Sequence, residues 1–552
     1  MADATYDAII IGGGNKALCT AVYLARYGGM KVAIFERRHE LGGALATQET
    51  AAPGFLGDTH VSIITGPWYW QPVREDFPDF EEKGGKLGHN LCGGGFITKE
   101  DHKCLPIYHE LEDPSGERVL KAVTEYSGEK DAETFAKILE LNREDGAMWQ
   151  AFLQDLFNPP PPPGEPTATT RWFNDYIKQP DALADDSWRL KRLYQASNEL
   201  WESKGLVYYN LRILKSAGGQ SGHMCGGLAL RLLHKRSLGR QTMFVVGGTH
   251  NIAHAYVKIF LENGGQFFTK RHVNKILVEN GRARGIRLED GTEVEAKKLV
   301  VTGIDPQQLV FDLLGRDLVP AKIVKKIECL TRREHMINWG TFAVHEPPQY
   351  KAAAFNPDIQ YVSVLYLASY DTDELVNEDY WRLLDKHHPS ASLNIVGYWA
   401  DKTRAPAGKH TFLVEEEEIP AFLLTERQWI ERGKEWAEKV VTVMHEYAPN
   451  ITWDNIIGYD PNTPYACAAR HINTGPAGHL SILDSIPGQS YPWRPIVELA
   501  GYKTPWIEGL YCTGSGWGQG AGGTCAEGYN CYKIIAKDLG LRKPWVEKGR
   551  PW

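Results

Sequence analysis

Long apolar runs are missing from this chain. No uninterrupted stretch among its 552 residues approaches the roughly 18–20 that a bilayer-crossing helix needs, so none is expected. Patterned cysteines are missing too. The nine stand at 19, 92, 104, 225, 329, 467, 512, 525 and 531 with no CxxC spacing, and this odd, scattered set predicts a reducing compartment and no metal site. The first apolar strand starts at Tyr6, which leaves no room before it for a secretory leader. Surplus positive charge is also absent: 61 Lys and Arg stand against 69 Asp and Glu, for a net charge of −8. With a pI near 6.2, nothing points to a nucleic-acid partner. The expected location is therefore cytoplasmic, with at most a peripheral membrane contact.

What is present starts with YDAIIIGGGNKALCTAVYLARYGGMKVAIFE, from Tyr6 to Glu36. It reads as an apolar strand, a glycine turn, a helix, a second strand and an acid. Gly12 allows the tight turn, and Gly14 lets backbone amides approach a pyrophosphate. Ala17, in place of a third glycine, keeps the helix close to the strand. The helix start favours phosphate charge. Glu36 ends the second strand, where a carboxylate accepts hydrogen bonds from ribose hydroxyls. A glycine turn in some other α/β protein is the alternative, but the strand, helix and acid all stand at the right distances for dinucleotide binding.

Arg37, Gly42, Gly43 and Ala44 follow, and the glycine pair reads as a turn passing close to a ligand. Helical spacing returns in residues 131–157, and Pro159–Pro163 forms an extended connector, either a linker or a rigid loop. Residues 241–318 read as a helix and short strands split by NG and DG turns, ending in KKLVVTG, a strand buried on both faces. Near the C-terminus a strand at Leu510–Thr513 enters a glycine loop, and a helix starts near Thr524. No second complete fingerprint with its own acid occurs, which argues for one dinucleotide. The expected fold is α/β: a Rossmann-type domain assembled from residues 1–75, 241–320 and 481–552, with an α+β substrate or cap domain from 76–240 and 321–480. Seventeen Trp and 25 Tyr suit a bulky organic substrate.

These blocks, in this order, resemble the flavoprotein family of bacterial-type phytoene desaturases. The nearest branch holds carotenoid isomerases, retinol saturase and the pyridine-nucleotide-disulfide-domain-like oxidoreductases. Four signatures carry the resemblance: the N-terminal unit continued by FERRHELGGALATQETAAPGF, the VVGGTHNIAHAYVKIFLENGGQF block, GPAGHLSILDSIPGQSYPWRP, and GLYCTGSGWGQGAGGTCAEGYN. The resemblance implies FAD, with its isoalloxazine between the two domains. The matched contacts are Gly12, Gly14, Ala17, Glu36, Arg37, Gly42, Gly43 and Ala44, with Val273 on the adenine side through its backbone and Gly514, Gly522 and Gly523 near the flavin. The chain departs from the pattern at Asn15, Lys16 and Ala17, where the branch has His-Asn-Gly, and at Ala521 and Cys525, where glycine is usual. Lys16 reads either as charge near the phosphates or as a solvated helix residue.

The chemistry implied is dehydrogenation of an apolar, terpenoid-like or alicyclic substrate by hydride transfer to flavin N5. Oxygen, a quinone or an electron-transfer protein would reoxidise the flavin. The helix near Thr524 is expected to stabilise negative charge there. Asp58 and His60, just after the cofactor turn, are the candidate proton acceptors, with loop residues as the bland reading. His479 and Arg494 either shape the cavity or bind the domains together. Cys525 is either a reactive thiol at a helix start or a packing residue. The basic segment Leu228–Arg240 reads as an amphipathic membrane-surface stretch or a plain surface helix. The other functions open are a redox-neutral isomerase using reduced FAD, an amine-oxidase-like enzyme and a non-catalytic flavin-binding protein.

Overall fold

The computed structural model describes residues 4–215, 229–333, 336–384, 393–486, 488–518 and 522–552. Its first sheet is built on β1 (Ala4–Ile11), followed by α1 (Asn15–Arg26) and β2 (Val32–Phe35). Far along the chain come α2 (His250–Glu262), β3 (Gln266–Phe268), β4 (Val273–Glu279), β5 (Arg282–Leu288) and β6 (Glu293–Thr302). The C-terminal region adds β7 (Leu510–Cys512) and α3 (Ala526–Leu539). The strands β3, β2, β1, β6 and β7 lie side by side and all run parallel, with Ile9 opposite Val300 and Val301 opposite Tyr511. The antiparallel pair β4–β5 hangs on the first half of β6. Parallel strands need crossover helices, which cover both faces, so Val32–Phe35 and Leu299–Val301 are apolar and buried at every position. In β6 burial alternates at Val294 and Ala296 and becomes continuous only after Lys297 and Lys298, which are exposed.

The helix α1 lies against both α2 and α3. Gly528 sets the closeness of the α1–α3 contact, since a Cβ there would stand 2.2 Å from the Lys16 carbonyl oxygen. The Thr20 hydroxyl donates to the Gly528 carbonyl across the same seam at 3.0 Å.

A second seven-stranded sheet runs in the order Ile456–Asp460, Met336–Val344, His410–Glu418, Asn394–Gly397, Val362–Ala368, Cys92–Thr98, Cys104–Tyr108. All neighbours are antiparallel except Val362–Ala368 with Cys92–Thr98. The 22-residue helix Glu426–Tyr447 packs Trp436 over Gly340, where any Cβ would collide with the indole.

Residues 131–157 form two helices rather than one continuous run, Glu129–Leu141 and Ala147–Phe157. The Asn142 amide stops the first by donating to the carbonyls of Ile138 (2.7 Å) and Leu233 (2.6 Å). Trp149, Leu153, Leu156 and Phe157 then enter the core under the first sheet, as do Ile323, Val324 and Ile327. The junction before the proline run is fastened to α3: Lys533 Nζ donates to the Phe157 carbonyl and to Asn158 Oδ1, both at 2.8 Å.

The segment expected to be a basic amphipathic helix makes two short 3-10 turns instead, Ala229–Leu233 and Lys235–Leu238. Leu228 lies outside the described residues. Leu232, Leu233 and Leu238 are buried, and Arg240 turns inward to pair with Asp113 at 3.2 Å. Among the described residues no helix is long and apolar enough to cross a membrane.

Candidate dinucleotide-binding site

Two glycine turns abut at the C-terminal end of β1. Gly12 takes φ 83° to turn the chain, and Gly13 has no room for a side chain, its Cβ position lying 2.2 Å from Leu41 Cδ2. Gly14 differs from both. It caps α1 with an ordinary φ of −68°, yet a Cβ there would meet nothing within 4 Å. The facing turn is bonded to the first through Gly42 N, which donates to the Gly13 carbonyl at 2.8 Å.

The open space at Gly14 belongs to a groove. Its wide part, about 670 Å³, is lined by Gly12, Gly14, Glu36, Arg37, Gly43 and Val273. A narrower cleft of about 100 Å³ adds Ala17, Gly42, Ala44, Gly514, Gly522 and Gly523. The two parts share walls at Gly14, Gly43, Gly303, Asp305, His471 and Asn473. Three separated stretches of sequence thus meet in one groove at the carboxyl ends of parallel strands, where open α/β sheets bind ligands.

Glu36 is already engaged by the backbone. Its Oε2 accepts from Gly13 N at 2.7 Å and its Oε1 from Arg38 N at 2.8 Å, which fixes the carboxylate in the groove wall. Asn15 ties the glycine loop before α3 to the start of α1 by donating to the carbonyls of Gly523 (3.1 Å) and Thr524 (3.0 Å). Its Oδ1 is buried without a partner.

Lys16 is not solvated. Only 4% exposed, it bonds Ser515 Oγ at 2.9 Å and Glu527 at 3.3 Å. Burial pulls the lysine below its ordinary range and pushes the glutamic acid above it. Helix α3 begins at Ala526, so Glu527 occupies its first turn. The positive end of that helix therefore carries its own carboxylate, with Lys16 as counter-ion. Cys525 caps α3 from full burial, and desolvation together with Cys19 drives its thiol well above the normal range. It is a packing residue, because burial outweighs the helix start. Ala521 lies outside the described residues.

The two candidate proton acceptors separate. Asp58 does not line the groove: it is fully buried and pairs with Arg404 at 2.7 Å. It also accepts from the Thr249 amide at 2.9 Å and from the Thr47 hydroxyl. It fastens the turn after β2 to the start of α2 and to the second sheet, and has no free lone pair for a substrate. His60 does line the narrow cleft. Burial and the nearby Arg470 and Arg38 hold it well below the usual imidazole range, so it is neutral. The Thr59 hydroxyl lies 3.1 Å from His60 Nδ1 and 3.3 Å from the Ala46 carbonyl. The Nε2 is buried without a partner.

His479 and Arg494 serve structure. His479 Nε2 meets Asp484 at 2.7 Å, and the Arg494 guanidinium donates to the carbonyls of Ser481, Gln489 and Ser515. Residues that motif reading missed are Arg38, Asp305, Arg470, His471 and Asn473, all in the groove wall. For Asp305 a signal existed. It is an acid just before a proline after a buried strand, and it caps that turn by accepting from Gln307 N at 2.7 Å. Arg470 and His471 fall in no motif.

A βαβ unit whose glycine turn faces an elongated groove, with an acid fixed at the end of the second strand, defines a Rossmann-type dinucleotide-binding protein. The comparisons with known proteins agree. Residues 10–78 match the model of the NAD(P)-binding Rossmann-like domain. The chain is 26% identical to pyridine nucleotide-disulfide oxidoreductase domain-containing protein 2 of Rattus norvegicus, over 97% of this chain and 94% of that one. A limonene dehydrogenase subunit of Castellaniella defragrans is 23% identical over 98% of this chain and 96% of its own. Hydroxyneurosporene desaturase of Cereibacter sphaeroides is 28% identical over 56% and 59%. In fold the chain is similar to cyclohexylamine oxidase from Brevibacterium oxydans, with a TM-score of 0.55, 13% identity and coverage of 97% and 99%. The chain thus carries a Rossmann-type dinucleotide-binding domain and is similar, along nearly its whole length or over about half of it, to oxidoreductases that include a dehydrogenase subunit and a desaturase.

Proposed function

We propose that the groove holds FAD and that the protein dehydrogenates an apolar, terpenoid-like or alicyclic substrate. Oxygen, a quinone or an electron-transfer protein would take the electrons on. The observation that carries the cofactor reading is the cradle at Gly14, a position with ordinary backbone angles whose Cβ would point into empty groove. A phosphate group lying there is reached by backbone amides at the start of α1. Glu36 would accept from ribose hydroxyls, Arg37 would add charge, and Val273 would meet the adenine through its backbone. Gly514, Gly522 and Gly523 add no side chain to the narrow cleft from the C-terminal loop, which suits a flat ring system. When bound, FAD supplies the hydride acceptor.

The chain's own residues then bind, orient and exclude water. Asp58, locked to Arg404, is unavailable as a base. His60 offers an unpartnered ring nitrogen at the cleft, but burial and the arginines around it keep its basicity low. The substrate class draws on the limonene dehydrogenase relative, which is similar along nearly the whole chain. Anaerobic titration of the FAD-loaded protein with cyclic terpenes, acyclic terpenes and amines tests the reading. Bleaching of the flavin by terpenes is expected. Bleaching by amines alone would overturn it in favour of an amine oxidase, and a flavin that no donor bleaches would favour the redox-neutral isomerase.

A further inference from the structure

The glycine walls of the groove offer amides but little positive charge. Lys16, the cation on α1, is committed to Glu527. Of the arginines in the groove wall, Arg271 pairs with Asp290 and Arg332 with Asp305, which leaves Arg37 and Arg38 after β2, and Arg470. Arg470 belongs to the other layer of the molecule: it ends the short helix Pro464–Arg470, which follows strand Ile456–Asp460 of the second sheet.

Several contacts hold this residue at the groove. Its Nη1 donates to Asn462 Oδ1 at 3.0 Å, and Asn462 in turn donates to the Thr59 carbonyl at 2.6 Å. Next in sequence, His471 sets its ring 3.2 Å from Arg38 Nη1 and edge-on to His60, with ring centroids 4.3 Å apart. Arg38 has Glu40 at 2.7 Å, whereas among the described residues Arg470 has no carboxylate within ion-pair distance. The locus therefore gathers two guanidinium groups and two imidazoles around one paired acid. Burial first, and then the neighbouring cations, lower the affinity of Arg38 for its proton and push both imidazoles well below their ordinary range, with Arg470 contributing in each case. Such a cluster, beside an amide cradle in the same cavity, is suited to an anion.

We propose that Arg470, carried by the cap layer, binds the diphosphate of the dinucleotide together with Arg38, so that the cofactor ties the two layers together. This rests on the FAD reading of the groove. It assigns the diphosphate charge to a residue far along the chain from the glycine turn that provides the amides.

Flavin fluorescence quenching during titration of the cofactor-free protein with FAD tests it. Arg470→Gln is expected to raise the dissociation constant at least tenfold and to flatten its salt dependence, with Arg470→Lys in between. Arg427→Gln, on an exposed helix face, should leave the constant unchanged. Competition by ADP should weaken in R470Q while competition by adenosine does not, which separates a lost phosphate contact from a deformed site. Hydrogen exchange across residues 456–476 should slow on FAD binding in the wild type and less in R470Q. Wild-type affinity in R470Q would overturn the assignment alone. A wild-type protein that binds no FAD would overturn the cofactor reading and this assignment with it.

Discussion

Gly14 and Asp58 look alike in sequence, each a small or polar residue beside a turn, and the structure gives them opposite roles. At Gly14 the backbone is ordinary and the side-chain direction empty, so Gly14→Val should leave the apo protein within about 0.5–1 kcal/mol of wild type. FAD affinity should nonetheless fall by at least tenfold, which thermal melts and a flavin titration would read together. Loss of stability without loss of binding would mean that the cradle is packing space. Asp58→Ala should act the other way. It leaves Arg404, which is 1% exposed, with Asp401 as its remaining carboxylate and the Thr249 amide without its acceptor, and the cost should be about 1–3 kcal/mol in urea unfolding. A catalytic aspartate would instead show lost turnover at unchanged stability. Asp58 could not be read correctly from its own neighbourhood, because Arg404 lies 346 positions on. The same holds for Lys16, whose burial is due to Glu527 on the last long helix. His60 stood among the candidates and reaches the cleft, but as a neutral imidazole beside the Thr59 hydroxyl.

The elements that were legible are those whose logic is local. Strand, glycine turn, helix and acid fall within 31 residues, Tyr6 to Glu36, and each boundary has its own signal. The C-terminal strand and helix were legible for the same reason, within a residue or two. The basic segment before Arg240 misled because its charges suggest a surface, whereas Arg240 is consumed by Asp113. What makes the groove, however, is the seam between α1 and α3, and that seam depends on Gly528. A β-branched side chain there meets the Lys16 carbonyl, so the helices must part. Gly528→Val is expected to destabilise the fold by about 1–3 kcal/mol or more and to loosen the Asn15 bonds to the glycine loop. Melting temperature and FAD affinity should fall together. A variant as stable as wild type would show that the seam has slack.

At the scale of the whole molecule, two sheets assembled from interleaved segments meet at a groove crowded with cations. The strands that share the first sheet come from separated stretches, 4–35, 266–302 and 510–512, and each stretch carried its own strand signal in the sequence. The contribution of the second layer to the groove was not legible, since no motif contains Arg470 or His471. That layer also sets a pH dependence. The folded-state affinities of His60 and His471 for protons are depressed by burial and by the arginines, while the unfolded chain protonates them near pH 6.5. As pH falls below 6.5 the unfolded state takes up protons first, so apo stability present above 6.5 is lost progressively. Each histidine contributes up to about 1.4 kcal/mol per pH unit. Unfolding midpoints between pH 7.5 and 5 should show that slope, reduced in His60→Asn. A slope unaffected by the substitution would place the titration elsewhere.

The most direct measurement is the absorption spectrum of the purified protein after incubation with FAD and removal of free cofactor. The account predicts a bound flavin spectrum in the wild type and its loss in Gly14→Val at unchanged melting temperature. A folded wild-type protein that retains no flavin would contradict it.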